Sequence, residues 1–382
     1  MNDTLPTHPA LLPAGLRDIL PPEAEIEARS IEAIMDCFAA HGYQRVKPPL
    51  LEFEDSLFAA SGAATAEQTF RLMDPQSQRM MGLRADTTPQ IARLAATRLA
   101  SAPRPLRLAY AGQCLRVRGS QLQPERQISQ AGIELIGHDT AEADAEIILT
   151  AVEALATVGL THISVDLTAP RLVLHLLDQA ATLDHAALAR ALDRKDAAAI
   201  AEFGGSISGL LLQLLQASGP ASQVIAALLA IDLPPEAKAQ AIRLAATVAA
   251  IQRHRPNLSL TMDPIEFRGY QYHSGVCMTL FATGQQAELG RGGRYLCADT
   301  EPATGLTLYP DTIIRVAPPR ALRPRLYLPF GTDALQAAQC REQNFATVAG
   351  LGPHRAPFAE AEWLGCTHIF MNGAITEILQ GK

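Results

Sequence analysis

The sequence lacks most short signatures of chemistry. Its six cysteines (Cys37, Cys114, Cys277, Cys297, Cys340, Cys366) are scattered, and none forms a Cys-x-x-Cys pair, so there is no zinc or dithiol redox signature. The ten histidines show no metal-ligand spacing, and no Ser-His-Asp or Cys-His set can be placed. Neither a Gly-x-Gly-x-x-Gly fingerprint nor a P-loop is present. Basic residues are outnumbered, 32 Lys and Arg against 39 Asp and Glu, for a net charge of −7. The chain as a whole therefore lacks the basic footprint of a nucleic-acid binder, and its bulk field repels polyphosphate. Residues 1–14 hold no basic stretch followed by an apolar run, which argues against a secretory signal. The most apolar stretch, Gly209–Leu215, is far short of a membrane span. Isolated, mostly apolar-flanked cysteines suit a reducing compartment. The expectation is a cytoplasmic protein without membrane, metal or cofactor.

What is present is a globular balance: 382 residues, 48% hydrophobic and 19% charged. A chain of this length fits two or three domains and buries a core without disulfides. A helix is expected over Glu23–Ala40, where Ile26, Ile31, Ile34 and Phe38 recur at helical spacing and His41-Gly42 stops it. Tyr43–Leu51 reads as a strand interrupted by Pro48-Pro49. Arg79–Leu83 reads as a strand, and Asp86-Thr87-Thr88-Pro89 opens a helix to about Leu99. Arg107–Arg118 and Gln127–Gly137 read as paired strands around a polar loop, followed by a helix over Asp144–Val158 and a strand over Ser164–Leu167. From about 169 to 256 the texture is Ala- and Leu-rich, a helical insertion. Strands return at Met262–Phe267, Val276–Ala282 and Leu289–Gly293. The domain division expected is 1–320 for the core and 321–382 for a small α/β unit with strand–helix rhythm.

Polar residues cluster in four places. In Arg84-Ala-Asp-Thr-Thr88, Asp86 and the threonines suit a helix N-cap. From Arg116 to Glu134, the alternation of Gln130, Gly132 and Glu134 puts them on one strand face. That face is either solvated or lines a polar pocket that Gly132 keeps open. Arg268-Gly-Tyr-Gln-Tyr-His-Ser-Gly275 is either an exposed aromatic edge or a polar wall. Gly290-Arg-Gly-Gly-Arg-Tyr295 reads as an anion-approaching loop or as a tight hairpin with solvated arginines. Unaided, these residues describe an amino-acid-sized polar pocket on an antiparallel sheet.

In this order, the segments resemble the histidyl-tRNA synthetase family. Gly15–Glu23 is similar to the family's N-terminal segment, and Gly42-Tyr43…Pro48-Pro49-Leu50-Leu51-Glu52 resembles the class II synthetase dimerisation motif. Leu83–Gln90 resembles the amino-acid-binding loop, Arg116…Gln130-Ala-Gly-Ile-Glu134 the second motif, and Arg268–Gly275 the histidine-specific loop. The resemblance implies an α+β fold, a class II aminoacyl-tRNA synthetase-like antiparallel sheet of six strands flanked by helices, with the helical insertion and a small C-terminal α/β unit. It also implies a dimer and a histidine pocket drawing on Asp86, Thr88, Arg116, Gln130, Glu134, Arg268, Tyr272 and His273. Asp86, Thr88, Gln130 and Glu134 would hold the ammonium group, Glu134 and Tyr272 the imidazole edge, and Arg268 the carboxylate. Tyr272-His273 replaces the Tyr-Tyr of the synthetases.

The departures fall on the nucleotide half. A glutamate that helps hold ATP is replaced by Arg118, an adenine-stacking phenylalanine by Ile128, and the γ-phosphate arginine by Thr312, with Arg315 three residues on. Losing one such clamp costs about 3–4 kcal/mol of transition-state stabilisation. Where the synthetases carry a complete anticodon-binding domain, only 321–382 remains. The combination resembles the regulatory-subunit branch of ATP phosphoribosyltransferase. It implies a non-catalytic role, a short-form catalytic subunit as partner, and histidine feedback in the first step of histidine biosynthesis. A divergent histidyl-tRNA synthetase is the alternative.

Overall fold

The computed structural model describes residues 12–119, 124–179, 184–266, 273–284 and 287–378. The chain divides into two units, Met1–Pro318 and Pro319–Lys382.

The first unit opens with helix α1 (Glu23–Ala40). Glu23 and Glu25 face the positive helix end, Ile34, Met35 and Phe38 are buried, and Gly42 at φ +81° ends the helix in a conformation that glycine adopts freely. The following segment is not one interrupted strand. Its proline pair separates β1 (Gln44–Arg45) from β2 (Leu51–Phe53), and the two belong to different sheets. The Pro48 and Pro49 carbonyls instead accept bonds from Arg84 Nη1 (3.3 Å) and Gln90 Nε2 (2.7 Å). Short helix α2 (Glu54–Leu57) follows, and β3 (Arg71–Met73) and β4 (Met80–Leu83) complete a three-stranded sheet with β2. Next come α3 (Thr88–Ala96), β5 (Leu106–Leu115), β6 (Gln127–Ile136), α4 (Ala141–Thr157) and β7 (Ile163–Thr168). Helix α4 starts before Asp144 because Thr140 caps it, its hydroxyl accepting from Ala143 N at 3.2 Å.

The Ala- and Leu-rich stretch forms α5 (Pro170–Asp178), α6 (His185–Asp193), α7 (Ala197–Phe203), α8 (Ser208–Gln216), α9 (Ala221–Ala230) and α10 (Pro235–His254). A two-residue strand, β8 (Gly219–Pro220), lies between α8 and α9. Then follow β9 (Ser259–Met262), β10 (His273–Ala282), β11 (Glu288–Cys297), β12 (Glu301–Leu308) and α11 (Pro310–Val316). The strand expected over Met262–Phe267 thus ends where it was expected to start; Phe267 lies outside the described residues.

The main sheet runs β1-β5-β6-β12-β11-β10-β7-β9-β8. Its six central strands, β5 to β7 in that order, pair antiparallel. Parallel pairs β1·β5 and β7·β9 extend it on either side. Residues opposite one another across a ladder share a face, so the two faces can be read directly. Ala131, Ile133 and Leu135, with Leu306, Leu308, Val276, Met278 and Leu280, join the core that α1, α4 and the helical insertion cover. Each such side chain contributes roughly 1.5–3 kcal/mol by burial. The opposite face runs Tyr110–Gly132–Thr307–Arg291–Thr279–Asp166 across six strands and is largely polar.

The second unit is built from β13 (Arg325–Leu328), α12 (Ala334–Glu342), β14 (Ala346–Ala349), α13 (Pro357–Trp363), β15 (His368–Met371) and β16 (Ala374–Glu377). The sheet order is β14-β13-β15-β16, parallel except for the last pair. Among the described residues, no helix of the protein is long and apolar enough to cross a membrane.

One ion cluster fastens α4 to the sheet. Asp144, fully buried, accepts from Arg294 Nη2 at 2.7 Å and Nε at 3.0 Å, and from Arg243 Nε of α10 at 3.1 Å. Asp144→Ala removes the buried carboxylate that Arg294 and Arg243 share and leaves Arg294, among the described residues, only the exposed Asp139 carboxylate, at 3.2 Å, so a loss of up to about 3–5 kcal/mol is expected. Urea unfolding of the variant measures it; an unchanged midpoint would contradict this role.

Candidate functional site

The polar face of the sheet centres on Glu134, near the C-terminal end of β6 and 1% exposed. Its carboxyl accepts from Thr88 Oγ1 at 2.9 Å and from Tyr295 OH at 3.0 Å. Thr88 sits within 3.3 Å of the Tyr110 hydroxyl, which lies 2.7 Å from Thr307 Oγ1. Among the described residues, the direct partners of Glu134 are hydroxyls. Burial, with a smaller push from the Asp86 charge, raises its carboxyl to about 8 against the opposing effect of the two hydroxyl bonds. Burial also holds Tyr110 well above its ordinary range, so that hydroxyl stays protonated.

Glycines make the room. Gly305 lies opposite Glu134 in the β6·β12 ladder, and a Cβ there would stand 1.8 Å from Glu134 Oε2. At Gly293 a Cβ would meet the His273 ring at 2.5 Å, and at Gly132 the Tyr110 hydroxyl at 2.4 Å. The space Gly132 provides is therefore filled by Tyr110 rather than left open. The Gln130, Gly132, Glu134 face is neither solvated nor an empty pocket but a packed polar layer.

A second pair lies beside the first. Gln130 Nε2 donates to Asp86 Oδ1 at 3.0 Å, while Gln130 Oε1 accepts from Thr87 N at 3.0 Å and Cys114 Sγ at 3.1 Å. The expected N-cap role of Asp86 is corrected by this arrangement. Thr87 is the N-cap of α3, no side chain caps the helix, and Asp86 faces the sheet instead.

The structure thus brings together Asp86 with Gln130 and Thr88 with Glu134. His273, buried at the start of β10, joins Thr88, Glu134, Arg291, Gly293, Tyr295 and Gly305 around a cavity of about 20 Å³. That is room for about one water, so an imidazole-sized ligand enters only if a wall moves. Arg116 lines a different and larger cleft of about 540 Å³ with Glu67, Gln68 and Arg118, and its buried Nε has no hydrogen-bond partner among the described residues. Arg268 and Tyr272 lie outside the described residues.

The arginines of Gly290–Tyr295 do not form a solvated hairpin. The segment is the middle of β11; Arg294 is buried against Asp144, and Arg291 pairs with Glu288 at 3.3 Å. Tyr295, Tyr110, Thr307 and Gly305 are the site residues that sequence reasoning missed. Tyr295 stood within a marked segment, but its partner becomes visible only from strand register.

Of the nucleotide positions of the resemblance, Ile128 and Thr312 are packed against the chain itself, whereas Arg118 lines the cleft of about 540 Å³. Ile128 is buried at the β6 end, and the neighbouring Ser129 N donates to Asp311 Oδ2 at 2.7 Å. Arg315 bonds Thr312 Oγ1 at 3.2 Å and Glu125 Oε1 at 3.4 Å. The space these residues leave is about 10 Å³.

With this geometry in hand, similarity to known proteins can be weighed. The family model described as histidyl-tRNA synthetase matches residues 15–313. The ATP phosphoribosyltransferase regulatory subunit of Gluconobacter oxydans is 52% identical over 366 residues, covering 96% of each chain. That of Paramagnetospirillum magneticum is 52% identical over 373 residues, covering 97% of this chain and 98% of the relative. Among solved structures, an ATP phosphoribosyltransferase regulatory subunit/histidyl-tRNA synthetase from Bacillus halodurans superposes with a TM-score of 0.77 at 23% identity, covering 92% of this chain and 96% of that one. A histidyl-tRNA synthetase from Nostoc gives 0.78 at 16% identity, covering 98% and 96%. At these identities the structural likeness speaks for the fold.

Two outcomes follow from the buried carboxyl. Its folded value lies above the ordinary 4.5, so its contribution to stability is fully present below about 4.5 and is lost as pH rises toward about 8. Within that window the loss is about 1.4 kcal/mol per pH unit, and Glu134→Gln should flatten it in urea unfolding at a series of pH values. Gly305→Ala should push the Glu134 carboxyl aside and cost about 1–3 kcal/mol by overpacking; a melting temperature equal to that of the parent would contradict the packing described.

Proposed function

The chain belongs to the histidyl-tRNA synthetase family, in its branch of ATP phosphoribosyltransferase regulatory subunits, and from that premise we propose that it binds histidine and relays its presence to a catalytic partner. It is a non-catalytic subunit of a glycosyltransferase complex, working in histidine biosynthesis. The partner in this reading is the short-form catalytic subunit, with the regulatory chain self-associating as a dimer, in the cytoplasm, without nucleic acid or membrane.

The observation that carries the reading is the contrast between two regions of the same sheet. In one, Asp311, Thr312, Arg315 and Glu125 bond to one another or to Ser129 and leave about 10 Å³. That supports a chain that does not activate an amino acid with ATP. In the other, Glu134 is a buried acceptor, and Thr88 and Tyr295 hold it in place. An imidazole N–H is a donor suited to such an acceptor. Donating to the ionised form, it would supply the positive character that the hydroxyls do not. A site built on such buried groups rejects ligands that cannot complete the bond.

In this reading, which for these residues rests on the resemblance, Asp86, Thr88 and Gln130 would hold the ammonium group, Arg268 the carboxylate, and Tyr272 and His273 would serve the ring. Arg116 lines a separate cleft. The one-water cavity implies that binding moves the wall. A ligand that selects one arrangement of the site over another needs a coupling of only about 1–3 kcal/mol to regulate a partner.

The test mixes the purified chain with the short catalytic subunit. Co-elution, gain of turnover and inhibition by histidine are expected. No complex and no gain would overturn the proposal, as would robust ATP–pyrophosphate exchange with histidine by this chain alone. Glu134→Gln should weaken histidine binding in calorimetry about tenfold or more, the loss expected for a charge-assisted bond made neutral.

A further inference from the structure

The end of α1 and the middle of α4 bring together three side chains that the regulatory reading does not use. Cys37 and His41 are one helical turn apart, so they share a face. Glu153 projects toward them from α4, with His41 Nε2 and Glu153 Oε2 3.4 Å apart. One ligand atom from each of Cys37, His41 and Glu153 lies within 4.8 Å of the other two. We propose that Cys37, His41 and Glu153 form a site for a single zinc-like divalent cation.

Geometry and donor type support this. A tetrahedral zinc with bonds of about 2.0–2.3 Å needs ligand atoms about 3.3–3.8 Å apart. The His41–Glu153 edge already has that length. The sulfur closes the remaining distance when the exposed His41 and Glu153 side chains turn toward it. Thiolate, imidazole and carboxylate together favour zinc or cobalt over magnesium or calcium, which take oxygen ligands. The site also lies at the C-terminal end of α1, where His41 is the C-cap and the helix dipole favours a cation.

Neighbouring acids are already committed. Glu146 accepts from Arg107 at 2.7 and 2.8 Å and from Tyr43 at 2.9 Å, and Glu142 accepts from Arg253 at 3.0 Å. Among the described residues, the ion pairs of Glu153 are with His41 and, at 4.0 Å, Arg255. Arg255 is half-exposed and is the cation that a metal displaces. A cleft of about 420 Å³, lined by His41, Glu153 and Arg255 among others, gives access from solvent and leaves the fourth position to water. On binding, the Cys37 S–H bond breaks, its proton passes to solvent, and the sulfur lone pair forms the bond to the metal; no electron transfer is involved. Sequence spacing gave no hint of this set, because Glu153 is far along the chain from Cys37 and His41.

The experiment is a cobalt(II) titration of the full-length chain, stripped by a chelator and kept in a thiol-free reductant. The expected result is one cobalt per chain, with a thiolate-to-metal charge-transfer band and the visible bands of four-coordinate cobalt, bleached by zinc. Cys37→Ser should remove the charge-transfer band, and Cys366→Ser should keep it. Glu153→Gln, at an exposed position that folding tolerates, should weaken binding at least about tenfold, the loss that removing even an outer-shell partner brings. Arg255→Gln should tighten it, which a purely structural triad would not do. No charge-transfer band in excess cobalt, or a band that survives Cys37→Ser, would overturn the site. Neither outcome bears on the catalytic partner, so this proposal and the regulatory one fail separately.

Discussion

A carboxyl group taken out of water in the middle of a sheet must find donors or stay protonated. Glu134 does both in part: two hydroxyls reach it, and burial keeps its proton on to about 8. Much of the surrounding architecture follows from that one demand. Gly305 opposite it must lack a side chain, Tyr295 must come from the strand beyond, and Thr88 must arrive at the first turn of α3. The result is a packed polar layer with about 20 Å³ of free space beside the carboxyl, for which the glycines leave room.

The remaining buried charges are handled differently. Arg294 and Arg243 are balanced by Asp144 and Asp139 and join the sheet to α4 and α10. Arg84 spends its donors on the Gln113 and Pro48 carbonyls and on Gln90, in space that Gly112 leaves by having no Cβ. Glu27 accepts from Ser129 Oγ at 2.6 Å, while Ser129 N meets Asp311, so α1, β6 and α11 are tied together. Such closed sets stabilise a particular packing and leave nothing for a ligand. Asp144 has cationic partners, whereas the partners of Glu134 among the described residues are neutral hydroxyls.

The same logic separates the Glu134 region of the sheet from the region around α11. Where a triphosphate would need free cations, Arg315 is engaged by Glu125 and Thr312, and Asp311 adds negative charge. An acid at that place repels phosphate, and a guanidinium already paired has less to offer it. A core that keeps the sheet and gives up the nucleotide cradle can still serve as a sensor, because sensing requires only differential binding.

The sequence by itself determined several elements and their order: α1 from its helical periodicity and Gly42, the β5–β6 hairpin from two apolar runs around a polar loop, the insertion from Ala and Leu content, and the strand–helix alternation of the last unit. Local propensity and periodicity decide such features, and they are written in neighbouring residues. It also marked Asp86, Thr88, Gln130, Glu134 and His273, through their resemblance to a known family. Only the tertiary structure decided that Pro48-Pro49 parts two sheets, that Arg294 is a buried counter-ion, and that Tyr295 and Gly305 surround Glu134. Those facts depend on strand register and on contacts between residues more than a hundred positions apart, and no local pattern in a chain encodes which distant residue will stand across from it.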